Sequence, residues 1–391
     1  MLRRNVTKHN TSNMKNTLML SLAAACLLMN ACSTTPNLTK SGLDPQRFVA
    51  EQDGKTTGLY TITNAGGMEV CLTNFGARIV SIMVPDRNGE FKDVVLGFDN
   101  INDYLTVPSN FGATVGRYAN RIAGGHMVLD GQEYNFFKNN MGVNCLHGGK
   151  IGWDSTIFDV DEADDTHVRF KLVSPDGNEG FPGTVTVFMT FTLRDDNSID
   201  LHYEATTDAP TVINMTNHSY FNLTGDPANT VLGCTLYIDA DTCTPTDQYQ
   251  IPTGEIAPVE GTPFDFRTAK LVGTDIDADN EQLRIGNGWD HNWVLNHPGD
   301  IANVAAECVC PETGIVLDVY TTEPGMQVYS GNFLDGTVTG KKGIAYQKRT
   351  AICLESQHYP DSPNHPEFPT TVLRPGEKYD THTVFAFGVT E

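Results

Sequence analysis

A two-residue rhythm constrains this chain more than any other feature. Residues 184–193 read Thr-Val-Thr-Val-Phe-Met-Thr-Phe-Thr-Leu, rich in β-branched and aromatic side chains. A helix buries positions that recur every three to four residues, so this run fits a strand with one face inward. Arg194-Asp195-Asp196-Asn197 supplies turn formers, and Ser198-Ile199-Asp200-Leu201-His202-Tyr203 resumes the alternation, which predicts a hairpin. The same rhythm runs through 68–75, 78–84, 168–173, 305–310 and 315–321. Helix periodicity is nearly absent, and 36 glycines and 20 prolines punctuate the strands. No repeat or low-complexity linker divides the chain after residue 46. The expectation is an all-β protein whose residues 47–391 form a single large antiparallel β-sandwich.

Charged residues at 19% and hydrophobic ones at 39% describe a globular chain rather than a disordered one. The formal net charge of −22 argues against nucleic acid, which needs a basic face. It equally disfavours an anionic membrane surface or a strongly anionic substrate. Neutral sugars are not opposed by it.

The first residues read as a targeting segment. Arg3, Arg4, Lys8 and Lys15 precede the apolar run 18–29, which is short for a membrane span. The run closes in Leu28-Met29-Asn30-Ala31-Cys32, which resembles a bacterial lipoprotein cleavage site. That resemblance implies a signal peptide over 1–31, lipidation at Cys32 and a flexible tether over 32–46. It places the protein outside the cytoplasm, in the periplasm or anchored to the outer membrane. Ordinary secretion with a conventional cut fits the same segment. Seven cysteines follow: Cys71, Cys145, Cys234, Cys243, Cys308, Cys310 and Cys353. Their odd number and loose spacing suggest buried thiols rather than a disulfide framework, and no zinc pattern appears.

Two polar clusters stand out among the strands. Asn217-His218-Ser219-Tyr220-Phe221-Asn222 ends an alternating run that begins at Thr211, and Tyr220 falls on the same side as His218. Glu355 follows the apolar stretch Ala351-Ile352-Cys353-Leu354 and leads into Ser356-Gln357-His358-Tyr359-Pro360. An imidazole and a remote carboxylate drawn from separate segments are how acid–base sites are often assembled. On the residues alone, a glutamate at a strand end facing solvent and a hydrogen-bonded structural histidine fit as well. Two further blocks, Asn120-Arg121-Ile122 and Leu146-His147-Gly148-Gly149, combine polar groups with glycines that let backbone approach a ligand.

Together these four blocks resemble the aldose 1-epimerases, or galactose mutarotases, and the resemblance runs from about Gly58 to Phe387. It implies their supersandwich fold and the interconversion of α and β anomers of free hexoses such as D-galactose and D-glucose. It makes Glu355 the general base at the anomeric hydroxyl and His218 the general acid at the ring oxygen, with pKa values near neutrality. Asn120, Arg121, His147, Tyr220, Asp290 and Gln327 match its sugar-binding positions, and Arg117 reads as structural. Asp290 lies in Gly288-Trp289-Asp290-His291-Asn292-Trp293, where a Trp offers a stacking face to a sugar. No cofactor or metal is implied. A catalytically silent sugar-binding lipoprotein on the same scaffold is the alternative. A glycoside hydrolase would need Glu355 and Asp290 as its carboxylate pair. An epimerase of hexose 6-phosphates would want a basic cluster that the sequence does not display.

Overall fold

The expected hairpin forms: Val185–Leu193 pairs antiparallel with Ser198–Thr207, from Val185 opposite Thr207 to Leu193 opposite Ile199. Burial alternates residue by residue along Val185–Leu193, so one face enters the core and the other meets solvent. A computed structural model describes residues 37–52 and 54–390. The leader over 1–31, Cys32 and the first part of the tether lie outside the described residues.

The hairpin sits inside a nine-stranded antiparallel sheet. Its order is Asp159–Ala163, His167–Ser174, Val185–Leu193, Ser198–Thr207, Tyr379–Val389, Ile315–Thr321, Ala306–Val309, Thr235–Ile238 and Lys270–Leu271. A four-stranded sheet runs Leu59–Thr63, Glu69–Thr73, Arg78–Pro85 and Phe91–Asp93. A five-stranded sheet runs Ala257–Pro258, Thr242–Thr244, Asp290–Val294, Gly325–Tyr329 and Cys353–Gln357. Among the described residues the two α-helices, Ile101–Thr106 and Glu281–Gly286, are short. The main core joins the inner faces of these sheets. Val187, Met189, Phe191, Leu317 and Phe385 from the nine-stranded sheet share one cluster with Val70 and Ile82 and with Trp293, Met326 and Leu354. The all-β sandwich is thus the observed architecture, and all seven described cysteines are buried free thiols.

The end of the expected tether is part of the packed body. Lys40 N donates to Glu69 Oε1 at 2.7 Å, and Ser41 Oγ meets Ser81 Oγ at 3.0 Å. Leu43 and Phe48 are buried, and Asp44 caps the turn Pro45–Phe48. Apolar side chains at 43 and 48 give this stretch something to bury, which a polar reading of 32–46 overlooked.

Candidate active site

The five-stranded sheet builds most of the site by parity. In register, Asp290 faces Tyr329, Gln327 faces Glu355, and Tyr329 faces Cys353. Successive side chains point to opposite faces, so Asp290, Gln327, Tyr329 and Glu355 share one face. The intervening His291, Trp293, Met326, Val328 and Leu354 turn inward, where Trp293, Met326, Val328 and Leu354 join the core. Glu355 therefore lies inside the strand Cys353–Gln357, not at its end, and is 2% exposed.

Three other segments complete the wall. Thr216–His218 pairs with Ala113–Val115 and presents His218. Arg121–Ile122 pairs with Cys145–Leu146, which brings Asn120 and Arg121 beside His147. A cavity of about 330 Å³ opens among these elements. All eight expected binding and catalytic residues line it: Asn120, Arg121, His147, His218, Tyr220, Asp290, Gln327 and Glu355.

At the centre His218 Nε2 stands 3.6 Å from Glu355 Oε1, and both side chains are nearly fully buried. The Tyr220 ring stacks on the His218 imidazole at 5.0 Å, on the side that the alternation predicts. The His147 ring meets His218 edge-on at 5.4 Å. The Asn120 N–H donates to His147 Nδ1 at 3.1 Å, which leaves Nε2 as the nitrogen that carries a proton in neutral His147. Opposite lies a chain of charge-assisted bonds. Arg121 Nη2 donates to Gln250 Oε1 at 2.7 Å, Gln250 Nε2 to Asp290 Oδ2 at 2.6 Å, and Gln327 Nε2 to Asp290 Oδ1 at 2.7 Å. Asp290 is thereby fixed in orientation.

Burial governs the titration of the central pair. It pushes the Glu355 carboxyl well above its ordinary range; the nearby Asp290 charge adds to this and Arg121 opposes it. Burial also lowers His218 to about 3, against a backbone hydrogen bond that raises it and with Arg78 lowering it further. The glutamate shift agrees with its apolar surroundings in sequence. The histidine departs from the expected near-neutral value, because nothing in the sequence showed that its ring would be sealed off. Cys353 brings a third ligand-type atom within 4.8 Å of His218 and Glu355. Burial holds its thiol far above the ordinary value, and a protonated thiol is a poor metal ligand.

The wall is tied together behind the cavity by Asn214, which is fully buried. Its amide donates to Ala119 O at 3.3 Å and His358 O at 3.2 Å, and accepts from His358 N at 2.9 Å. The segments carrying Asn120, His218 and Glu355 thus meet at one side chain. Nearby, Glu323 accepts from His358 Nδ1 at 2.6 Å and from the Tyr379 hydroxyl at 2.9 Å.

Three local expectations change. Trp289 and Trp293 are fully buried beside Phe264 and Phe266, so neither stacks on a ligand. Aromatic rings reach the cavity from Tyr329 and Phe333 instead, stacked at 6.2 Å. Gly148 serves packing rather than approach to a ligand: at φ +86°, a Cβ there would lie 2.1 Å from Gly116 O. Arg117 is structural as expected, donating to Pro182 O, Gly183 O and Ser174 Oγ. The sequence reading missed Gln250, Tyr329, Phe333, Asn110, Asn140 and Met141. Period-two spacing from Gln327 could have found Tyr329; Gln250 sits in an aperiodic loop with φ 60° and carried no signal.

Similarity to known proteins agrees with this geometry. The family described as Aldose 1-epimerase matches residues 58–386. The galactose mutarotase of Sus scrofa is 43% identical over 322 residues, covering 82% of this chain and 92% of that protein. The aldose 1-epimerase of Escherichia coli (strain K12) is 40% identical over 337 residues, covering 86% and 96%. Among solved structures, an aldose epimerase homologue from C. elegans superposes with a TM-score of 0.79 at 32% identity, covering 86% of this chain and all of that one. A galactose 1-epimerase from Lactobacillus acidophilus NCFM gives 0.76 at 29% identity, covering 88% and 97%.

These relatives correct the expected location. Galactose mutarotases of pig, cow, human and mouse match this chain over 322 residues, and that similarity gives no support to an exported bacterial lipoprotein. The residues that suggested export lie outside both the matched region and the described residues. The periplasmic or outer-membrane placement does not stand, and Cys32 lies outside both the matched and the described residues.

Proposed function

The chain belongs to the aldose 1-epimerase family, and from that premise we propose that it interconverts the α and β anomers of free aldohexoses such as D-galactose and D-glucose. The observation that carries this reading is the buried His218–Glu355 pair, 3.6 Å apart at the floor of a polar cavity. The anomeric hydroxyl and the ring oxygen sit on one carbon, so the groups serving them must stand close together.

Glu355 removes the proton from the hydroxyl at C1. His218 Nε2 protonates the ring oxygen as the bond from C1 to that oxygen breaks. The aldehyde turns about C1–C2, and the two residues reverse roles to close the ring on its other face. Asp290, held by Gln250 and Gln327, accepts from sugar hydroxyls, while Arg121, Asn120 and His147 donate to them. Tyr220 packs against His218 and keeps the imidazole in place.

Burial pushes both groups toward their uncharged forms, the state in which they stand once the ring has opened. A carboxyl raised by burial and an imidazole lowered by it share one proton at pH values between the two. Ring opening starts from carboxylate and imidazolium and ends with carboxylic acid and neutral imidazole. Burial favours the uncharged end of that transfer, so a sealed site lowers the cost of the open-chain intermediate.

Polarimetry of freshly dissolved α-D-galactose and α-D-glucose tests the proposal. Acceleration by the wild-type protein that is lost in Glu355→Gln and in His218→Asn is the expected result. A folded wild-type protein that binds sugar yet leaves the rate unchanged would point instead to a silent binding role.

A further inference from the structure

A second cluster of ligand-type side chains lies on the outer face of the nine-stranded sheet, away from the residues of the cavity. His202 and His382 stand directly opposite each other on Ser198–Thr207 and Tyr379–Val389, and Glu204 faces Asp380 in the next register position on the same face. Their rings stack at 4.0 Å with 8° between planes. One ligand atom each from His202, Asp380 and His382 falls within 4.8 Å of the others. All three side chains are partly exposed, at 25%, 45% and 33%.

We propose that His202, His382 and Asp380 form a surface site for a divalent transition-metal ion, of which zinc is the best match. Two imidazoles and one carboxylate suit Zn²⁺ and its first-row neighbours, with bonds of about 2.0–2.2 Å and solvent completing the shell. The surrounding carboxylates strengthen the assignment. His382 Nδ1 bonds Asp200 Oδ1 at 2.9 Å, which turns the Nε2 lone pair outward. His202 Nδ1 lies 3.9 Å from Glu204 Oε2, and its Nε2 meets Asp380 Oδ1 at 2.8 Å. A metal ion replaces the proton held between that nitrogen and that oxygen. The second Asp380 oxygen and Glu204 are held by Lys378, and Arg169 also reaches Glu204. Arg194 pairs with Asp200. These cations fix the framework, and their charge offsets part of the carboxylates' attraction for an incoming ion. Parallel rings cannot both point at one ion, so capture requires one imidazole to tilt out of the stack, which its exposure permits. Strand pairing alone joins residues 178 positions apart, so no metal spacing shows in the sequence.

The test is titration of the full chain, freed of metal by chelator dialysis, with Co²⁺ and Zn²⁺. Calorimetry gives the stoichiometry and the Co²⁺ visible spectrum reports imidazole ligation. One ion per chain at micromolar affinity is expected. His202→Ala and His382→Ala should abolish it, and Asp200→Asn should weaken it by roughly 10–100-fold. His218→Asn should leave it unchanged, and His202→Ala should keep full anomerase activity, which separates this site from the cavity. Absence of micromolar binding, binding that survives His202→Ala, or binding lost in His218→Asn would each overturn the assignment.

Discussion

Replacing Glu355 by glutamine removes the base, and it also strands the acid. The causes that lower His218 are its burial and the Arg78 charge, with a backbone hydrogen bond opposing them, and none involves Glu355. The imidazole should therefore keep its value of about 3 in the variant. At about pH 7 only about one ring in 10⁴ would then carry the proton it must give to the ring oxygen. A positioned acid–base group contributes roughly 10²–10⁴-fold, about 3–5 kcal/mol, and the loss should reach the upper end of that range. The pair acts as a unit, so losing both members should cost little more than losing one. The assay is the initial change in optical rotation of α-D-galactose, with the buffer-catalysed rate subtracted, between about pH 7 and pH 5. Residual catalysis by Glu355→Gln should rise roughly tenfold for each unit of acidification, as the His218 proton is restored. The double variant with His218→Asn should match the single variant at neutral pH. A residual rate that ignores pH, or a double variant slowed by the product of the two single losses, would refute the shared-proton account.

Asp290→Asn should raise KM by roughly 10–100-fold through weaker charge-assisted bonds to the sugar. It should also move the alkaline limb of kcat/KM to lower pH, because Asp290 adds to the burial that raises Glu355; an unmoved limb would remove Asp290 from that role. Gly148→Ala should lower kcat/KM while circular dichroism stays native, since relieving a 2.1 Å approach to Gly116 O shifts the neighbouring His147, and a positive φ adds about 1–3 kcal/mol of strain. Unchanged kinetics in that variant would dissociate His147 from catalysis. The Glu323–His358 pair should leave a mark on stability. Burial works against the His358 charge, but the Glu323 carboxylate outweighs it and raises the folded value. That stabilisation is complete below the unfolded value of about 6.5 and fades as pH rises through the folded one. Urea midpoints from pH ~6 to ~9 should therefore fall in the wild type and fall less in Glu323→Gln; parallel slopes would count against it.

The fold was legible because alternation is written into adjacent residues. Val185–Leu193 shows its burial pattern in sequence, and its partner follows after a four-residue turn. The proposed acid–base pair was legible only through resemblance, since nothing local says that Glu355 lies inside a buried strand rather than at an exposed end. What stayed hidden depends on long-range pairing. Gln250 reaches Asp290 and Arg121 from a loop without periodicity, and the two tryptophans beside Asp290 point inward because their parity opposes it. The low value of His218 is hidden for the same reason, since it follows from side chains that close over the ring only in the folded chain.

Asn214 has a consequence for how the protein can change. One amide ties together the three segments that carry Asn120, His218 and Glu355, so they are braced as a block at one point. The expectation is that sugar enters without rearrangement of the reacting groups, and unchanged positions of Asn120, His218 and Glu355 in a sugar-bound structure would bear it out. The bracing also separates what can vary from what cannot. Met141 and Phe333 line the cavity mouth with more than half of their surface exposed and lie outside that block. Exchanging them can retune which sugars are accepted while the proton-transfer geometry stays as it is.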